Sequence, residues 1–442
     1  MQNKILIKNK ITQFKKKIEV SSDKSLSIRV VLLASQAVGK SKLSNLLESE
    51  DVLNALKTIK KLGIKYKKKG KIYEIHGNGL NGFKAKNNTI IDAGNSGTLG
   101  RLILGLLVKF EKKIKLVGDK SLSKRDFSRV TGPLKNFGAN IKSKGNFLPI
   151  VMQGTNFLRP IKYIENKGSA QCKSVVMLAA LNTPGTTFIK AKKSRDHTER
   201  LFKNLNISMK LIKKKNYDLI EVKGLKQFNS FDYIVPGDIS SSAFFIVLTA
   251  LSNNSHITIK NININESRIG IIKILKKMNC KILFKNKKIY KGEPTADIFV
   301  KSSKKIKPIN CSSYLNSSAI DEFLLIFLCA AKANGVSRFR NLSELNKKES
   351  PRLDIAIKML KMMGIKVRRK KDNINIYGKQ NLNLSGNFHI KNYQKDHRVA
   401  MTAVIAALSY GGNWKIEDVE ESIKTSFPNF LKIIKKLGAK IN

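Results

Sequence analysis

One pattern recurs six times along the chain: an apolar helical run ending in Leu, Phe or Met, then Gly or Asn, then an alternating strand-like segment. A helix commonly ends with a residue in the left-handed conformation, which Gly, and less readily Asn, adopts at low cost. Successive copies lie roughly 70–85 residues apart, a spacing suited to one supersecondary unit per repeat. The copies are KKLGIKY (Gly63), KNFGANI (Gly138), KNLNISM (Asn206), KKMNCKI (Asn279), KMMGIKV (Gly364) and KKLGAKI (Gly438).

A second feature alternates with the first: short polar clusters precede apolar runs of helical length. Ser, Asp, Asn and Gly in these clusters are typical N-caps, so each run predicts a buried helix with a capped start. Helix starts favour anions, and six of them facing one cleft would suit a doubly phosphorylated transition state. Six unrelated N-caps are the plain alternative. The runs are DKSLSIRVVLLAS, GNSGTLGRLILGLL, GSAQCKSVVMLAAL, GDISSSAFFIVLTAL, AIDEFLLIFLCAA and KDHRVAMTAVIAAL.

The two alternating features predict an α/β fold of six βα-type units in two similar halves. With 442 residues, of which 42% are hydrophobic, the chain is long enough for two domains, each with its own core. A turn signal at Pro236-Gly237-Asp238 marks the expected crossing between the halves. We therefore expect a first lobe from residues 1–22 and 239–442, formed by both chain ends, and a second lobe from residues 23–238.

The formal net charge of +54 leaves two interpretations open. A nucleic-acid-binding protein gathers its basic residues on one face and interleaves aromatic residues with them. Here lysines are spread over the whole chain, together with many Asn and Ile and a single Trp, which favours drift toward A/T-rich codons at solvated positions. We therefore expect no nucleic-acid partner, although so positive a field still attracts small anions.

Further sequence features bear on the cellular compartment. No stretch reaches the roughly 18 apolar residues that a membrane span needs. The start MQNKILIKNK lacks the apolar region and cleavage site of a secretory signal. Four widely spaced cysteines, without a CxxC pair, indicate neither a disulfide framework nor a zinc cluster. We expect a cytoplasmic protein with no membrane partner and no bound metal.

Seven short motifs stand in a fixed order, and the order is informative because each motif alone is a weak signal. Together, from about Val20 to the C-terminus, they resemble the 3-phosphoshikimate 1-carboxyvinyltransferase (EPSP synthase) family. The run SAQCKSVVMLAALNTPG, followed by SRDHTERL, is most similar to the glyphosate-tolerant second class of that family. The motifs are DKSLSIR (Asp23–Arg29), GNSGT (Gly94–Thr98), GDKSLSKR (Gly118–Arg125), SAQ (Ser169–Gln171), IDE (Ile320–Glu322), KESPR (Lys348–Arg352) and DHRVAM (Asp396–Met401).

The resemblance implies a two-domain inside-out α/β barrel, the enolpyruvyl transferase fold, with three repeats per domain, and a monomer. It implies transfer of the enolpyruvyl group of phosphoenolpyruvate to the 5-hydroxyl of shikimate 3-phosphate, with release of phosphate and no metal or organic cofactor. Both substrates carry phosphate, so the site needs several fixed cations. Arg suits a planar bidentate grip, and Lys suffices where a point charge is enough.

By the same resemblance, two sets of residues hold the substrates. The shikimate 3-phosphate set is Lys24, Ser25, Arg29, Ser169, Ala170, Gln171, Arg195, Asp321 and Lys348. The phosphoenolpyruvate set is Lys24, Gly97, Arg125, Gln171, Arg352 and Arg398. Asp321 is the expected base on the substrate hydroxyl and Glu349 the expected acid on the methylene carbon, with Lys24 as a further participant. Taken singly, Asp321-Glu322 predicts a helix cap and Lys348-Glu349 a solvated charge pair.

Several positions depart from the family pattern. Ser21-Ser22 replaces the usual Pro-Gly before the first motif, and Ile28 stands where the family has Asn or His. Thr425 stands where some members carry a lysine, with Lys424 beside it. These differences leave the family assignment in place, but they leave catalytic efficiency open.

Two further departures concern the KESPR motif and the inhibitor glyphosate. Asn346 and Pro351 replace an Arg and an Asp, and Pro351 confines the helix start to its own neighbourhood because it donates no backbone hydrogen bond. Gly97 stands where, in the family, an Ala crowds glyphosate. The smaller residue predicts that Gly97→Ala lowers sensitivity to this inhibitor.

Three other functions compete with this interpretation. ASQAVGKS (Ala34–Ser41) is close to a Walker A loop, but it follows a predicted helix where a P-loop requires a strand. UDP-N-acetylglucosamine enolpyruvyl transferase uses a loop cysteine, whereas Cys172 and Cys329 fall in apolar helical runs. A basic nucleic-acid-binding protein would bind DNA or RNA with an affinity that falls steeply as the salt concentration rises, and it would release no phosphate from the two substrates.

Overall fold

The computed structural model describes residues 4–442, and residues 1–3 of the predicted first lobe lie outside the described residues. The fold is mixed α/β, which confirms the predicted fold class. Among the described residues, no helix is long and apolar enough to cross a membrane. The helices are α1 (Lys24–Gln36), α2 (Glu50–Lys61), α3 (Gly97–Leu106), α4 (Ser128–Phe137), α5 (Ala170–Leu181), α6 (His197–Asn204), α7 (Ile239–Leu251), α8 (Gly270–Lys277), α9 (Asn316–Ala319), α10 (Phe323–Lys332), α11 (Arg352–Met362), α12 (His397–Tyr410), α13 (Val419–Ile423) and α14 (Phe430–Lys436).

Between Lys4 and Asn442 the strands form six sheets of three or four strands each. The strands are β1 (Lys4–Ile7), β2 (Lys15–Ile18), β3 (Val38–Ser44), β4 (Lys65–Lys69), β5 (Ile72–Asn78), β6 (Thr89–Asp92), β7 (Ile114–Val117), β8 (Asn140–Ser143), β9 (Ile150–Gln153), β10 (Lys162–Glu165), β11 (Thr186–Lys192), β12 (Met209–Lys213), β13 (Tyr217–Lys223), β14 (Asp232–Ile234), β15 (His256–Asn263), β16 (Lys281–Tyr290), β17 (Glu293–Lys301), β18 (Gly335–Phe339), β19 (Lys366–Lys370), β20 (Asn373–Gly378), β21 (Asn387–Ile390) and β22 (Asn413–Glu417).

Two compact units divide the described chain. Lobe 1 consists of the described chain up to Ser21, Pro236–Ile289 and Pro294–Asn442. Lobe 2 consists of Ser22–Val235 and Tyr290–Glu293. Each lobe has its own cluster of buried apolar side chains.

The sheets of lobe 2 share one strand order. An edge strand runs parallel to a central strand, and an antiparallel hairpin completes the sheet. The orders are β14-β3-β5-β4, β6-β7-β9-β8 and β10-β11-β13-β12. Along β13 buried and half-buried residues alternate, so one face of that sheet packs on the core while the other meets solvent.

The sheets of lobe 1 are variants of the same order, namely β16-β17-β15-β2, β18-β20-β19 and β1-β22-β21. In the second of them, a single parallel bridge from Asn310 to Arg338 stands beside β18. In the third, Leu6 N donates to Asn442 O at 2.7 Å, and Asn442 N donates to Leu6 O at 3.1 Å. Residues from near both ends of the chain therefore join one sheet.

The left-handed residues predicted at the helix ends are confirmed. The Gly or Asn has a positive φ at each of the six positions: Gly63 (85°), Gly138 (116°), Asn206 (52°), Asn279 (69°), Gly364 (70°) and Gly438 (103°). At Gly63 a Cβ would lie only 2.7 Å from the carbonyl oxygen of Lys84, so steric exclusion adds to the backbone requirement. The hairpins expected after Gly63 and Gly364 are β4-β5 and β19-β20.

The apolar runs all form buried helices, as predicted. They are α1, α3 and α5 in lobe 2, and α7, α10 and α12 in lobe 1. Every residue of α7 is buried, which is typical of a helix enclosed by protein on all sides. Within lobe 1, α7, α10 and α12 contact one another, and within lobe 2, α3 contacts both α1 and α5. Helices that are buried along most of their length therefore form the centre of each lobe.

Most of these buried helices carry the predicted side-chain N-cap. The caps, with the backbone N–H that each one accepts from, are Asp23 (Leu26), Ser96 (Leu99), Ser169 (Cys172), Asp238 (Ser240) and Asp396 (Arg398). The exception is α10, where Glu322 at the N-cap makes no such hydrogen bond. That the helix starts face a common cleft stays a prediction.

The structure does not support the resemblance of Ala34–Ser41 to a Walker A loop. Ala34–Gln36 closes α1, and Gly39–Ser41 lies inside β3, which pairs antiparallel with β5. The order is helix then strand, whereas a P-loop joins a strand to a following helix. Nucleotide binding of that kind is excluded.

Candidate functional site

Arg352 lies at the centre of a charged cluster in lobe 1. It is the first residue of α11, and its side chain is 1% exposed. Its Nε lies 2.8 Å from Asp396 Oδ2, and its Nη1 lies 3.4 Å from Asp321 Oδ1. Its Nη2 contacts Glu349. A buried guanidinium needs anionic partners, and this one has three carboxylates around it.

Burial and charge act in opposite directions within this cluster. Burial alone would lower the pKa of Arg352, but the charges of Asp396, Glu349 and Asp321 prevail, and the pKa lies above its ordinary value. For Asp396, burial alone would raise the pKa, but the charge and hydrogen bonds of Arg352 hold it below the ordinary value. Both groups therefore stay ionised although they are buried.

Asp321 is half-buried immediately before α10 and contacts two predicted site residues through one oxygen. Lys348 Nζ lies 3.6 Å and Arg352 Nη1 3.4 Å from its Oδ1. Its backbone carbonyl accepts a hydrogen bond from Arg398 Nη1 at 3.1 Å. Lobe 1 thus brings together every site residue that the sequence placed in it: Asp321, Lys348, Glu349, Arg352 and Arg398.

The plain interpretations of these residues, taken singly, do not hold. Neither residue of the Asp321-Glu322 pair is the side-chain cap of α10; Glu322 is buried, accepts from Ser240 Oγ and lies 3.5 Å from Arg398 Nη1. Lys348 and Glu349 are half-buried within the Arg352 cluster and are not a solvated charge pair.

Asn346 has a role that sequence reasoning missed. Its Oδ1 accepts from the backbone N–H groups of Leu353 at 2.9 Å and Asp354 at 3.4 Å, and its Nδ2 donates to Asp354 Oδ1 at 3.0 Å. The N-cap position itself holds Pro351, whose side chain has no acceptor. Asn346 therefore caps α11 from outside the helix, a role that its departure from the family pattern does not predict.

In lobe 2, α1 carries three predicted site residues. Lys24 opens the helix, and its Nζ lies 2.8 Å from Asp51 Oδ2 in the first turn of α2. Ser25 follows, and its carbonyl accepts from Arg29 Nη1 at 3.0 Å. Ile28, noted as a departure, is fully buried and belongs to the lobe core.

Arg29 is 5% exposed and hydrogen-bonds groups on two other helices. Its Nε donates to Thr198 Oγ1 on α6 at 3.0 Å, and its Nη2 donates to Ser174 Oγ on α5 at 3.3 Å. Those two hydroxyls lie 2.7 Å apart. The side chain therefore ties α1 to α5 and α6.

Gly97, Arg125 and Gln171 form a second group in lobe 2. Gly97 opens α3, where a Cβ would lie 3.0 Å from Arg125 Nη1. Arg125 Nη2 donates to Asn95 Oδ1 at 3.1 Å and to Ser121 Oγ at 3.4 Å. Gln171 Nε2 donates to Thr98 Oγ1 at 3.0 Å, and Gln171 Oε1 accepts from Arg101.

The remaining predicted residues sit at the starts of α5 and α6. Ser169 Oγ accepts from Cys172 N at 3.3 Å and caps α5, and Ala170 is the first residue of that helix. Arg195 is half-buried in the loop between β11 and α6, three residues before Thr198. Lobe 2 therefore carries its predicted residues on α1, the starts of α3 and α5, and the loops before α4 and α6.

Sequence reasoning did not name Asp51 or Arg101, and it named Asp396 only as the start of a motif, without its contact to Arg352. The weak signals that existed were acidic residues in the first turn of α2 and the aspartate that opens the DHRVAM motif. All four cysteines are buried and free.

Comparison with known proteins defines the class first. An enolpyruvyl transferase from Streptomyces tendae superposes with a TM-score of 0.79, covering 100% of this chain and 99% of its own, at 14% identity. At that identity the likeness shows the fold alone. An EPSP synthase from Acinetobacter baumannii superposes with a TM-score of 0.87 at 33% identity, covering 100% of this chain and 99% of its own.

Sequence relatives are more specific. The family model for EPSP synthase (3-phosphoshikimate 1-carboxyvinyltransferase) matches residues 8–434. A 3-phosphoshikimate 1-carboxyvinyltransferase of Ruthia magnifica is 40% identical over 426 residues, 96% of each chain. One from Endomicrobium trichonymphae is 37% identical, covering 95% of this chain and 96% of its own. The chain belongs to the EPSP synthase family and is a transferase.

Proposed function

We propose that this chain transfers the enolpyruvyl group of phosphoenolpyruvate to the 5-hydroxyl of shikimate 3-phosphate. The products are 5-enolpyruvylshikimate 3-phosphate and phosphate, a step of the shikimate pathway toward aromatic amino acids. The match to the family over residues 8–434 is the observation that carries the proposal. The fixed Lys and Arg side chains that each lobe contributes suit substrates that carry phosphate and carboxylate groups.

The substrate-binding roles expected from the family resemblance are part of this proposal. The residues proposed to hold shikimate 3-phosphate are Lys24, Ser25, Arg29, Ser169, Ala170, Gln171, Arg195, Asp321 and Lys348. Those proposed to hold phosphoenolpyruvate are Lys24, Gly97, Arg125, Gln171, Arg352 and Arg398. The glycine at the start of α3 suits close approach of an anion to free backbone N–H groups.

Two carboxylates carry the proton transfers in the proposed mechanism. Asp321 removes the proton of the 5-hydroxyl as that oxygen attacks the central carbon of phosphoenolpyruvate, while Glu349, aided by Lys24, gives a proton to the methylene carbon. The resulting tetrahedral ketal loses phosphate, which takes up the proton held by Asp321, and a methyl proton returns to Glu349 as the double bond is restored. Preset cations and helix starts stabilise the developing charges, usually the largest catalytic contribution.

The contacts of Asp321 support its proposed role as the base. Lys348 and Arg352 approach one of its oxygens within 3.6 Å, which favours the ionised carboxylate that a base requires. Its place before α10, outside the capping position, leaves the carboxyl half-buried and directed into the cluster of charged groups.

We further propose the second, glyphosate-tolerant class, a cytoplasmic location, a monomeric state and no nucleic-acid partner. The class rests on the runs around Ser169–Gln171 and Ser194–Leu201. Gly97 leaves room for glyphosate and so favours sensitivity to this inhibitor, although the two runs resemble the tolerant class. Membership of the class therefore does not by itself predict tolerance. Even spreading of lysines along the chain supports the absence of a nucleic-acid surface.

UDP-N-acetylglucosamine enolpyruvyl transfer is the second candidate activity. It depends on a reactive loop cysteine, whereas each of the four cysteines here is buried. Burial raises the pKa of Cys172, and raises that of Cys311 to about 11, which disfavours the reactive thiolate. A hydrogen bond with Cys329 lowers the pKa of Cys280, but that thiol belongs to the buried core of lobe 1 and is not in an exposed loop. The geometry thus favours the shikimate substrate.

Phosphate release from shikimate 3-phosphate plus phosphoenolpyruvate tests the proposal. Wild-type turnover is expected, with kcat lowered about 10³-fold by Asp321→Asn and about 10²-fold by Arg125→Ala. Replacing shikimate 3-phosphate by UDP-N-acetylglucosamine in the same assay separates the two candidate activities.

Matched controls make this test specific. Glu420→Gln changes an exposed carboxyl of lobe 1, and Arg159→Ala removes an exposed guanidinium of lobe 2; neither is expected to alter turnover. An inactive wild-type protein that binds DNA or RNA with steep salt dependence would restore the nucleic-acid interpretation.

A further inference from the structure

A buried ion pair in lobe 2 takes no part in the proposed chemistry. Lys173 on α5 and Glu199 on α6 are 0% and 1% exposed, and Lys173 Nζ lies 2.5 Å from Glu199 Oε1. Apart from this contact, no hydrogen bond from the described residues reaches either carboxylate oxygen of Glu199. Each charge is therefore compensated by the other, at a depth where an isolated charge is costly.

The pair belongs to a polar seam between two helices. The residues adjacent to the pair, Ser174 after Lys173 and Thr198 before Glu199, also meet, since their hydroxyl oxygens lie 2.7 Å apart. Arg29 on α1 donates to both of these hydroxyls. Ion pairs and hydrogen bonds depend on direction, whereas apolar packing does not, so this seam fixes how α5 and α6 are rotated against each other.

Proposed shikimate 3-phosphate residues lie close to the pair, on α5 and in the loop that leads into α6. Gln171 lies two residues before Lys173, and Ser169 caps the same helix. Arg195 lies four residues before Glu199, in the loop that leads into α6. A rotation of either helix would therefore move these binding groups, while Gly97 and Arg125 stand on other elements.

We propose that Lys173 and Glu199 are positioning residues: their ion pair orients α5 and α6 so that Ser169, Gln171 and Arg195 bind the phosphate of shikimate 3-phosphate. The inference rests on the proposed function and deepens it. It assigns the pair mainly to the affinity for shikimate 3-phosphate, whose proposed binding set includes all three residues, with a smaller effect on phosphoenolpyruvate, whose proposed set includes Gln171 alone of the three.

Single and double substitutions in the full chain separate positioning from stability. Lys173→Met or Glu199→Leu alone leaves one buried charge, and Tm is expected to fall by about 10 °C. The double variant Lys173→Met with Glu199→Leu replaces the pair by apolar side chains and is expected to recover most of that loss.

Substrate affinity gives the decisive readout. Calorimetric titration with shikimate 3-phosphate is expected to show a Kd raised about tenfold in the double variant despite its recovered Tm. KM for phosphoenolpyruvate and kcat are expected to change less. A double variant with both wild-type Tm and wild-type Kd would show a structural role only and overturn the inference.

If the other variants fail to fold, Glu199→Gln is the variant used for the affinity measurement. It keeps the shape of the side chain and removes only its charge. A raised Kd for shikimate 3-phosphate in the folded Gln variant supports the inference, and an unchanged Kd overturns it. The control is the same Met and Leu exchange at the exposed pair Lys68–Glu48 of lobe 2, where Kd is expected to stay constant.

The wild-type protein separates this inference from the proposed function. If wild type neither binds shikimate 3-phosphate nor releases phosphate, the proposed function fails and the inference falls with it. If wild type is active and the double variant binds this substrate equally well, the inference alone fails.

Discussion

The two lobes hold their site arginines in different ways. In lobe 1, Arg352 is surrounded by carboxylates, with Asp396 Oδ2 at 2.8 Å from its Nε. In lobe 2, the partners of Arg29 include the hydroxyls of Thr198 and Ser174, and those of Arg125 include the amide oxygen of Asn95. The first arrangement balances charge inside the protein, whereas neutral acceptors orient a guanidinium without cancelling its charge.

This difference between the two kinds of arginine site indicates where a substitution affects stability and where it affects function. A carboxylate cluster depends on each member, because removing one charge leaves the others buried and uncompensated. A guanidinium held by neutral groups is replaced at lower cost to the fold. Arg352 in lobe 1 should therefore respond to substitution mainly through stability, and Arg125 in lobe 2 mainly through substrate binding.

The largest expected effect is that of Arg352→Met in lobe 1. Asp396, which is buried, loses its main cation, and the free energy of unfolding is expected to fall by about 3–5 kcal/mol. Urea unfolding followed by circular dichroism measures this loss. Arg125→Met is the counterpart in lobe 2 and is expected to cost about 1 kcal/mol. Equal losses in the two variants would abolish the contrast between the lobes.

Acidification should lower the folding stability of lobe 1, because it protonates Asp396 and removes the charge that pairs with Arg352. Burial opposes its ionisation, but Arg352 lowers its pKa in the folded state, with a raising contribution from Glu349 and a lowering one from His397. A depressed folded pKa means that the stabilisation is complete above the unfolded pKa of about 3.9 and disappears as pH falls through the folded pKa.

Asp396→Asn tests this sign. The stability difference between wild type and variant is expected to be largest near neutral pH and to shrink below about pH 4. Thermal unfolding of both proteins across this range measures it. A difference that stayed constant, or grew on acidification, would contradict the ion-pair account.

Gly97→Ala probes binding in lobe 2. The new Cβ would lie 3.0 Å from Arg125 Nη1, so the guanidinium must shift slightly. We expect the inhibition constant for glyphosate to rise about tenfold, or about 1.4 kcal/mol, and KM for phosphoenolpyruvate to rise less. Gly132→Ala is the control, since a Cβ there meets nothing within 4 Å. Unchanged inhibition would refute the crowding argument.

Asn346→Ala should have the smallest effect. It removes the acceptor for Leu353 N and Asp354 N at the start of α11, and loss of such a cap costs about 1 kcal/mol. Chemical unfolding measures the change, with Asn383→Ala at an exposed loop position as the control. If both variants were equally stable, the capping role would be wrong.

Local chemistry explains what the sequence predicted well. A helix end needs a left-handed residue, and a buried helix needs a polar cap, so Gly63, Asn206, Asp23 and Ser169 indicate element boundaries without any tertiary information. Repetition of these signals predicted the α/β fold. The site residues themselves came from a resemblance between ordered motifs, and their individual roles stay predictions.

Long-range pairing explains what could not be predicted. Glu199 lies on a different helix from Lys173, and Asp51 lies on a different helix from Lys24. Such partners are set by how helices pack, which periodicity does not encode. Asn346 is close in sequence to its partner, the start of α11, but its amide caps this helix only because the intervening turn folds back on the helix start.

The hydrogen bonds between Leu6 and Asn442 have a consequence for synthesis on the ribosome. Among the described residues, strand β1 is made first, whereas its neighbours β22 and the segment at Asn442 are made last. Most of lobe 2, Ser22–Val235, is complete well before then. Lobe 2 is therefore able to fold on the nascent chain, while β1 stays without its sheet until β22 has been made.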